Sequence, residues 1–315
     1  MPKMKSLGSS GLQIPALVLG GNVFGWTADK ETSFEILDAF VAGGGTMIDT
    51  ADVYSSWVPG NVGGESETII GEWLKRRGRR DDVLIATKVG LEEGLASKTI
   101  AQGIENSLRR LGTDYIDLYY SHKDDPDVPL EETLSAFDAL VKAGKVRALG
   151  ASQIEAERLR QALSISAANG LASYSVLQTW YNLVDRSRYE GALSEAVQEN
   201  GLGMLSFYSL ANGYLTGKYR SEADLGKSVR GSRVAEYMRG NGPRVLAALD
   251  DIAGETGATQ GQIALAWVAA QPAATAPIAS ATSLEQIEEL IGAMELELSP
   301  DQIERLNAAS AEHQA

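Results

Sequence analysis

Short apolar runs alternate with longer amphipathic segments along almost the whole chain, and this alternation constrains the fold more than any other feature. Near-continuous apolar strands that alternate with helices indicate a parallel sheet whose outer face is covered by helices. Eight such units predict a closed (β/α)8 barrel of the α/β class. The eight runs are ALVLG (16–20), TMIDT (46–50), VLIATK (83–88), IDLYYSH (116–122), VRALGAS (146–152), SVLQ (175–178), GMLSFY (203–208) and ATAPIA (274–279).

The segments between the runs carry apolar residues at helical spacing, and each ends on glycine, which suits the left-handed residue that commonly closes a helix. They are ETSFEILDAFVAGG, SETIIGEWLKRRG, SKTIAQGIENSLRRLG, PLEETLSAFDALVKAG, EAERLRQALSISAANG and RYEGALSEAVQENG. An open, doubly wound sheet is the alternative architecture. The first strand is not followed by G-x-G-x-x-G, and this lowers the weight of that alternative.

Three additions interrupt the repeat. Residues 4–15, with SSG at the turn, predict a small β-hairpin before the first barrel strand. After the seventh strand, RSEADLGKSVRGSRVAEYMRGNG is polar and irregular, as functional or mobile loops are. Extra helices are expected at about 243–256 and 259–271, before the eighth strand, and near 300–310 at the C-terminus. We find no linker-like change of composition and expect one barrel domain over residues 1–315.

Composition argues against several classes of partner. The formal net charge of -14 opposes binding to nucleic acid or to an anionic membrane surface. The chain has no cysteine and two histidines, one of which, His313, lies in the C-terminal tail, so we expect no metal site. The N-terminus lacks the apolar stretch of a secretory signal, and IALAWVAAQPAATAPIA is interrupted by Gln271 and Pro272. We therefore expect a cytoplasmic protein.

Polar residues stand where the predicted strands end. One such residue is more often a solvated or capping group than a functional one. Carboxyl ends of barrel strands surround one mouth, however, so several ionisable residues there would face one another. The strand ends are Asp49, with Tyr54 in the following loop, then Lys88, His122, Ser152, Gln178 and Tyr208.

Tyr54, Lys88, Asp49 and His122 together indicate proton transfer to a carbonyl. A phenol with a pKa near ~10 is a weak acid at neutral pH, and the Lys88 ammonium is expected to ease release of its proton. Asp49 would hold and balance that ammonium, because a buried unpaired lysine is costly. His122 could donate a hydrogen bond to a substrate oxygen.

The chain resembles the aldo-keto reductase superfamily over nearly its whole length. The resemblance is carried, in order, by LGGNVFG, IDTADVY, IATKVG, LYYSH, KVRALGAS, LQTWYNLVDR, LTGKY, QIALAWV and PIASATSLEQIEEL. It implies a catalytic tetrad of Asp49, Tyr54, Lys88 and His122, and a nicotinamide dinucleotide as the hydride donor. The second acid of the motif, Asp52, is expected to be structural.

The resemblance also implies where the cofactor lies. It implies that Ser152 and Gln178 bind the nicotinamide amide and that Tyr208 stacks on the nicotinamide ring. It also implies that Gly21 and Asn22 approach the nicotinamide ribose, with Asp49 nearby. Ser209, Leu210, Gly213 and Lys218 would follow the diphosphate. Ser280, Thr282, Gln286 and Glu289 would hold the adenosine end, beside a helix that starts near Ser283. For Gln286 a capping box with Ser283 is the structural alternative.

Several positions depart from the family pattern. They are Gln153 and Leu290 in place of asparagine, a loop after Tyr208 that is one residue short, and uncharged Ser283 where a basic residue often reads the 2'-phosphate. NADP(H) is the first expectation, and NAD(H) stays open. Lys218, Arg230 or Arg233 could supply the missing charge, with Arg233 the closest match. For Arg230 a solvated loop position is slightly favoured.

Aromatic residues near the strand ends could form an apolar wall around the substrate. We expect Trp26, Trp57, Tyr54 and His122 to contact it, with Trp180 and Tyr181 nearby, although core packing is equally expected for Tyr181. Between Tyr54 and Glu65, SSWVPGNVGG is longer than the usual link and predicts a shaped loop over the pocket, or a lid.

The leading hypothesis is an NAD(P)H-dependent oxidoreductase that reduces a small aldehyde or ketone, or runs the reverse oxidation. A second hypothesis is an NADPH-binding regulatory subunit resembling channel β-subunits. A third is a barrel isomerase that needs no cofactor. The substrate and the oligomeric state stay open.

Overall fold

The computed structural model describes residues 2–311, so His313 lies outside the described part of the chain. Eight parallel strands close into a barrel, in the order β10-β3-β4-β5-β6-β7-β8-β9, and a separate two-stranded antiparallel sheet precedes it. This confirms the predicted (β/α)8 barrel and hairpin. The hairpin strands are β1 (Lys5–Ser6) and β2 (Gln13–Ile14). The barrel strands are β3 (Val18–Gly20), β4 (Met47–Asp49), β5 (Leu84–Val89), β6 (Ile116–Ser121), β7 (Val146–Ser152), β8 (Tyr174–Trp180), β9 (Gly203–Phe207) and β10 (Ala276–Ala279).

Helices surround the barrel, and the three extra helices lie where the sequence predicts them. The helices are α1 (Lys30–Ala42), α2 (Glu65–Arg77), α3 (Ser97–Leu111), α4 (Leu130–Lys142), α5 (Ala156–Asn169), α6 (Ala192–Glu199), α7 (Gly242–Thr256), α8 (Gln260–Ala270), α9 (Leu284–Gly292) and α10 (Pro300–Ser310). Within residues 2–311, none is long and apolar enough to cross a membrane.

Local sequence explains where several helices begin and end. The Asp29 side chain accepts a hydrogen bond from Thr32 N at the start of α1, and Thr259 with Gln262 forms a capping box at the start of α8. Glycines in the left-handed conformation close α2 and α3, at Gly78 (φ 65°) and Gly112 (φ 63°). The glycine signal in the sequence therefore marks real helix ends.

The pleat of the strands decides which side chains enter the barrel. Successive residues of a strand point to opposite faces, so a residue two places after an interior one is also interior. Leu19, Ile48 and Leu177 belong to the cluster packed between the strands and the helices. The interior cluster instead contains Val18, Met47, Ala86, Leu118, Ala148, Val176, Leu205 and Ile278. On β4, β5 and β8, the next inward position, two residues further on, lies nearer the mouth.

The hairpin packs against the opposite end of the barrel. Leu7 and Ile14 belong to the interior cluster. At Gly8, a Cβ would lie 2.0 Å from the backbone nitrogen of Gly203, the first residue of β9, so there is no room for a side chain. The left-handed φ of 54° at Gly8 adds a second reason for glycine. The N-terminal end of the barrel is thus covered, and the strand carboxyl ends face the other way.

The polar segment after β9 is folded into short turns of 3-10 helix. These cover Ala211–Thr216, Glu222–Lys227, Gly231–Arg233 and Ala235–Met238. Inside the segment, the Tyr219 hydroxyl and the Ser228 hydroxyl lie 2.7 Å apart. The expected irregular loop is therefore a series of tight turns with internal hydrogen bonds.

Candidate active site

The strand pleat brings Asp49, Lys88 and Gln178 to one level of the barrel mouth. Each stands two residues after a member of the interior cluster, respectively Met47, Ala86 and Val176. All three are almost completely buried, at 2%, 0% and 2% exposure. The strand-end signal in the sequence therefore reflects a shared layer of inward-facing side chains.

The Lys88 ammonium has three acceptors, one for each of its hydrogens. Nζ lies 2.7 Å from Asp49 Oδ2, 2.6 Å from the Thr50 carbonyl oxygen and 2.8 Å from the Tyr54 hydroxyl. Burial lowers the pKa of Lys88, and the Asp49 carboxylate opposes this change. A fully hydrogen-bonded ammonium beside a carboxylate is the arrangement in which a buried lysine keeps its charge.

Tyr54 accepts a hydrogen bond from Lys88 and keeps its own hydrogen nearly free. The acceptor for the Tyr54 hydroxyl is Asp49 Oδ2, at 3.5 Å, which is too long for a strong hydrogen bond. The Lys88 ammonium also lies 4.5 Å from the centre of the Tyr54 ring. The phenol hydrogen can therefore turn toward another acceptor at the mouth.

The sequence predicts that Lys88 makes Tyr54 easier to ionise, but the pKa of Tyr54 in the structure is shifted in the opposite direction. Burial raises the pKa of Tyr54 well above its ordinary value, and the Asp49 carboxylate raises it further. The Lys88 ammonium could be inferred from the sequence, whereas the burial of Tyr54 and the nearness of the Asp49 carboxylate appear only in the structure. Tyr54 is consequently a protonated phenol near neutral pH, which can donate a proton only to a strongly basic oxygen.

His122 lies directly after β6 and faces Tyr54. The two ring centres are 5.9 Å apart, at an interplanar angle of 74°. Burial lowers the pKa of His122 well below its usual value, and the Lys88 charge lowers it further, so the imidazole is neutral at neutral pH. Its Nδ1 atom is buried without a hydrogen-bond partner among residues 2–311.

Two tryptophans stand beside Tyr54, as expected for a substrate wall. Trp26 and Trp57 meet edge to face, with ring centres 5.6 Å apart, and Trp57 lies 6.1 Å from Tyr54. Trp57 is 47% exposed, so one part of this wall faces solvent. Tyr181, by contrast, is buried against Tyr189 and Trp267, which confirms the core-packing alternative for that residue.

The loop at 55–64 is a shaped loop tied to the segment after β3. Ser55 Oγ donates to the Phe24 carbonyl oxygen at 2.8 Å, and Asn61 Nδ2 donates to the Gly25 and Ser55 carbonyl oxygens at 3.1 Å each. Ser55 adopts a left-handed φ of 72°. These bonds favour the shaped loop over a freely moving lid.

The residues expected around a nicotinamide ring lie on adjacent strands. Ser152 and Gln178 are register partners on β7 and β8, and both are buried. Gln178 Nε2 donates to Asp49 Oδ1 at 2.7 Å. Tyr208, just after β9, has a left-handed φ of 54°, and its ring lies 4.3 Å from that of Trp180.

The residues after β3 form a close backbone approach. Gly21 N donates to the Asp49 carbonyl oxygen at 2.7 Å, and a Cβ on Gly21 would lie 2.9 Å from Ser66 Oγ. Asn22 Oδ1 accepts from Ser280 Oγ at 2.6 Å, so the ends of β3 and β10 are joined. This edge of the mouth therefore presents backbone and small polar groups rather than bulky side chains.

Of the residues expected along a diphosphate, some are open and others are engaged within the protein. Lys218 is exposed, and Gly213, with φ 92°, lies close to its side chain. Ser209 Oγ instead donates to the Ser206 and Ile278 carbonyl oxygens, at 2.9 and 3.0 Å. Leu210 is half-buried and packs against the core.

The residues expected at an adenosine end surround the start of α9. The Ser283 hydroxyl accepts from Gln286 N, which is a capping bond. Gln286 Oε1 accepts from Thr282 N (2.9 Å) and Thr282 Oγ1 (3.1 Å), one residue before the place that a capping box would use. Glu289 Oε1 accepts from Thr259 Oγ1 at 2.6 Å. Arg233 is exposed.

Arg230 is not in the solvated position that the sequence slightly favours. Its guanidinium lies 5.2 Å from the centre of the Trp26 ring, and the residue is only partly exposed. The segment after β9 therefore reaches across the mouth to the segment after β3. Loop composition could not predict this contact, because it depends on how the 3-10 turns are arranged in space.

A polar network behind Tyr208 is absent from the sequence-based set of site residues. Asp185 Oδ2 accepts from Trp180 Nε1 (2.8 Å), Tyr237 OH (2.8 Å) and Asn182 Nδ2 (3.1 Å). Asn182 Nδ2 also donates to the Tyr208 carbonyl oxygen at 3.0 Å. The sequence feature that could have indicated this network is the pair of polar residues in YNLVD, Asn182 and Asp185, directly after β8.

Among residues 2–311, no group of three or more histidine, aspartate or glutamate side chains could hold a metal ion. A cleft of about 460 Å³ lies far from the tetrad, near the hairpin turn, and is lined by residues such as Ser9, Arg147 and Tyr174. Because it sits at the covered end of the barrel, we associate the chemistry with the mouth.

Comparisons with known proteins agree with the fold. The sequence model of the Aldo/keto reductase family matches residues 16–311. The chain belongs to this family. It is 33% identical to Aldo-keto reductase str7 of Strobilurus tenacellus over 288 residues, 89% of this chain and 81% of the relative.

Two other relatives are similar over almost their full length. An uncharacterized oxidoreductase, YrpG, of Bacillus subtilis is 33% identical over 314 residues, 96% of this chain and 94% of the relative. A probable voltage-gated potassium channel subunit beta of Oryza sativa is 32% identical over 323 residues, 96% of this chain and 95% of the relative. Relatives with an enzyme name and a relative with a channel-subunit name therefore have similar sequence identities to this chain.

Proposed function

We propose that this protein is an NAD(P)H-dependent oxidoreductase that reduces an aldehyde or ketone to an alcohol, or runs the reverse oxidation. The observation that carries the proposal is the contact of the Lys88 ammonium with both the Tyr54 hydroxyl (2.8 Å) and Asp49 (2.7 Å) at the barrel mouth. Membership of the Aldo/keto reductase family supports it.

The residues at the mouth fit a nicotinamide dinucleotide. Gly21, Ser152 and Gln178 supply small or polar groups at strand ends around the mouth, and Tyr208 supplies a ring just after β9, a combination that suits an aromatic amide. The start of α9 offers backbone N–H groups to a phosphate. When bound, the dinucleotide would supply a hydride, which no protein side chain can store.

In this proposal Tyr54 donates the proton. A carbonyl oxygen that becomes an alkoxide is about as basic as hydroxide, whose conjugate acid has a pKa of about 15.7. A phenol whose pKa is raised by burial can still protonate such an oxygen. Lys88 stabilises the phenolate that remains, Asp49 holds Lys88, and neutral His122 donates a hydrogen bond that orients the carbonyl.

The test is Tyr54→Phe, assayed on a panel of aldehydes and ketones with the tighter of NADPH and NADH. Loss of one general acid is expected to lower kcat by ~10² to 10⁴. Binding of the dinucleotide, followed by quenching of tryptophan fluorescence, should be kept. Tyr115→Phe is the matched control, because Tyr115 precedes β6 at the covered end of the barrel. Unchanged turnover in Tyr54→Phe would refute the proton role.

A second candidate function is favoured by one observation, the 32% identity to a probable voltage-gated potassium channel subunit beta. In that case the barrel would bind NADPH and dock on a membrane protein. Co-purification with such a partner, together with negligible turnover on the carbonyl panel, would favour this function. A cofactor-free isomerase predicts that neither dinucleotide quenches the fluorescence.

A further inference from the structure

A row of aromatic rings connects the Arg230 guanidinium to the Tyr54 phenol. The guanidinium lies 5.2 Å from the centre of the Trp26 ring. Trp26 is 5.6 Å from Trp57, and Trp57 is 6.1 Å from Tyr54. Arg230 therefore stands at one end of a row of aromatic rings whose other end is Tyr54.

The Arg230 guanidinium is a partly buried cation without an ion-pair partner among residues 2–311. Other arginines of the chain have such partners: Arg158 pairs with Asp124, and Arg220 pairs with Asp250. Arg230 instead lies over the Trp26 ring, with the phenols of Tyr208 and Tyr219 and the exposed cation of Arg233 nearby. A partly desolvated guanidinium with free donors is a binding group for a carboxylate or phosphate, which it can engage with two parallel hydrogen bonds.

We propose that Arg230 determines substrate specificity by binding an anionic group on the carbonyl substrate. The preferred substrates are then aldehydes or ketones that carry a carboxylate or phosphate at the end remote from the carbonyl, with an apolar body against Trp26 and Trp57. This inference rests on the proposed reductase function. In a chain of formal net charge -14, such a local cation offsets the repulsion that an anionic substrate would otherwise meet.

The dinucleotide is the other possible source of the anion, because its phosphates have the same chemistry. Arg230 is one of the cations that the sequence offers for a 2'-phosphate, so this source has to be tested. The substrate is favoured by position, because Arg230 contacts Trp26, and Trp26 packs on Trp57 beside Tyr54. The two sources predict different results, since only a substrate contact discriminates between charged and neutral aldehydes of one shape.

The test compares 4-carboxybenzaldehyde with its neutral methyl ester, methyl 4-formylbenzoate, at saturating dinucleotide. The wild-type protein should prefer the anion in kcat/KM, and Arg230→Gln should lower kcat/KM for the anion by about 10- to 100-fold, the value of a charge-assisted hydrogen bond. The ester should be little affected. Arg230→Lys should recover part of the loss, and Arg239→Gln, an exposed cation of the same segment, should change neither substrate.

Four results would overturn the inference. Equal loss for both aldehydes together with weaker NADPH binding would assign Arg230 to the dinucleotide. Turnover of both aldehydes without discrimination in the wild-type protein would remove the substrate role alone. If neither aldehyde is turned over while other members of the carbonyl panel are, the substrate role of Arg230 fails alone. If no member of the panel is turned over, the proposed reductase function fails and the inference fails with it.

Discussion

Gln178 Nε2 donates a hydrogen bond to Asp49 Oδ1 over 2.7 Å, while Lys88 holds the other carboxylate oxygen. The two donors come from strands far apart in sequence, β8 and β5, and the barrel brings both to one carboxylate. Asp49 therefore joins the proton-transfer residues to the residues expected around the nicotinamide. A substitution among the proton-transfer residues should therefore affect the residues around the nicotinamide, and the reverse should also hold.

Breaking the Asp49–Lys88 pair should destabilise the fold. Lys88→Met leaves a buried carboxylate without its main counter-charge, and we expect the free energy of unfolding to fall by about 3–5 kcal/mol. The double variant Asp49→Asn, Lys88→Met should recover much of that stability but none of the turnover. Denaturant unfolding and steady-state kinetics measure the two effects.

The matched control for this pair is Lys30→Met, because Lys30 pairs with Glu72 at the surface, where both side chains are about half exposed. An exposed pair contributes less than about 1 kcal/mol. A loss of stability in Lys88→Met no larger than that of Lys30→Met would contradict a stabilising role for the buried pair.

Asp52 should make stability fall as the pH rises toward neutrality. Burial, together with the nearby Glu67 carboxylate, raises the pKa of Asp52 to about 7. The folded protein then holds a proton that the unfolded chain releases above pH ~4, so this group costs increasing stability until the pH passes about 7.

Asp52→Asn removes that cost, and its benefit should be larger at pH 8 than at pH 5, by roughly 1–3 kcal/mol. Urea unfolding at the two pH values measures the difference. Asp251→Asn, an exposed acid on α7, should give the same small change at both. A benefit of Asp52→Asn that does not depend on pH would show that Asp52 stays ionised throughout.

Asn182→Ala should weaken dinucleotide binding. The Asn182 side chain accepts from Val184 N and Asp185 N and donates to the Tyr208 carbonyl oxygen, so it holds the strained backbone under the Tyr208 ring. We expect a loss of about 1–3 kcal/mol in stability and a higher Kd for NADPH. Fluorescence titration measures the Kd, and Asn169→Ala, at an exposed helix end, serves as the control.

Two glycines within helices should respond in opposite ways to alanine. Gly254 in α7 has open space where a Cβ would stand, so Gly254→Ala should raise stability by about 0.5–1 kcal/mol. Gly71 in α2 would place its Cβ 2.2 Å from the Arg110 carbonyl oxygen, so Gly71→Ala should destabilise the protein. Thermal unfolding of both variants tests the helix packing of the barrel.

Features that depend on residue spacing could be predicted from the sequence. The spacing of apolar residues and the glycines at helix ends predict the eight strands, the hairpin and the helices before and after β10. The contact of Lys88 with Asp49 and Tyr54 follows from strand ends that share one mouth. In each case a local pattern and a single barrel rule were sufficient.

Features that depend on loop paths or on competing electrostatic effects could not be predicted. The contact of Arg230 with Trp26 needs the course of several 3-10 turns between β9 and α7. The direction of the Tyr54 pKa shift needs its burial and the position of Asp49 as well as that of Lys88. The Asn182–Asp185 network needs the carbonyl direction of Tyr208, which no residue pattern encodes.

The alternation of inward and outward residues along the strands has a practical consequence for engineering. At Asp49, Lys88 and Gln178, the strand supplies one side chain to the mouth while its neighbours on either side anchor the wall. The residues that carry the chemistry and the residues that hold the barrel together thus occupy separate positions of the same short strand. New chemistry can be sought by exchanging the mouth-facing set while the wall is left untouched.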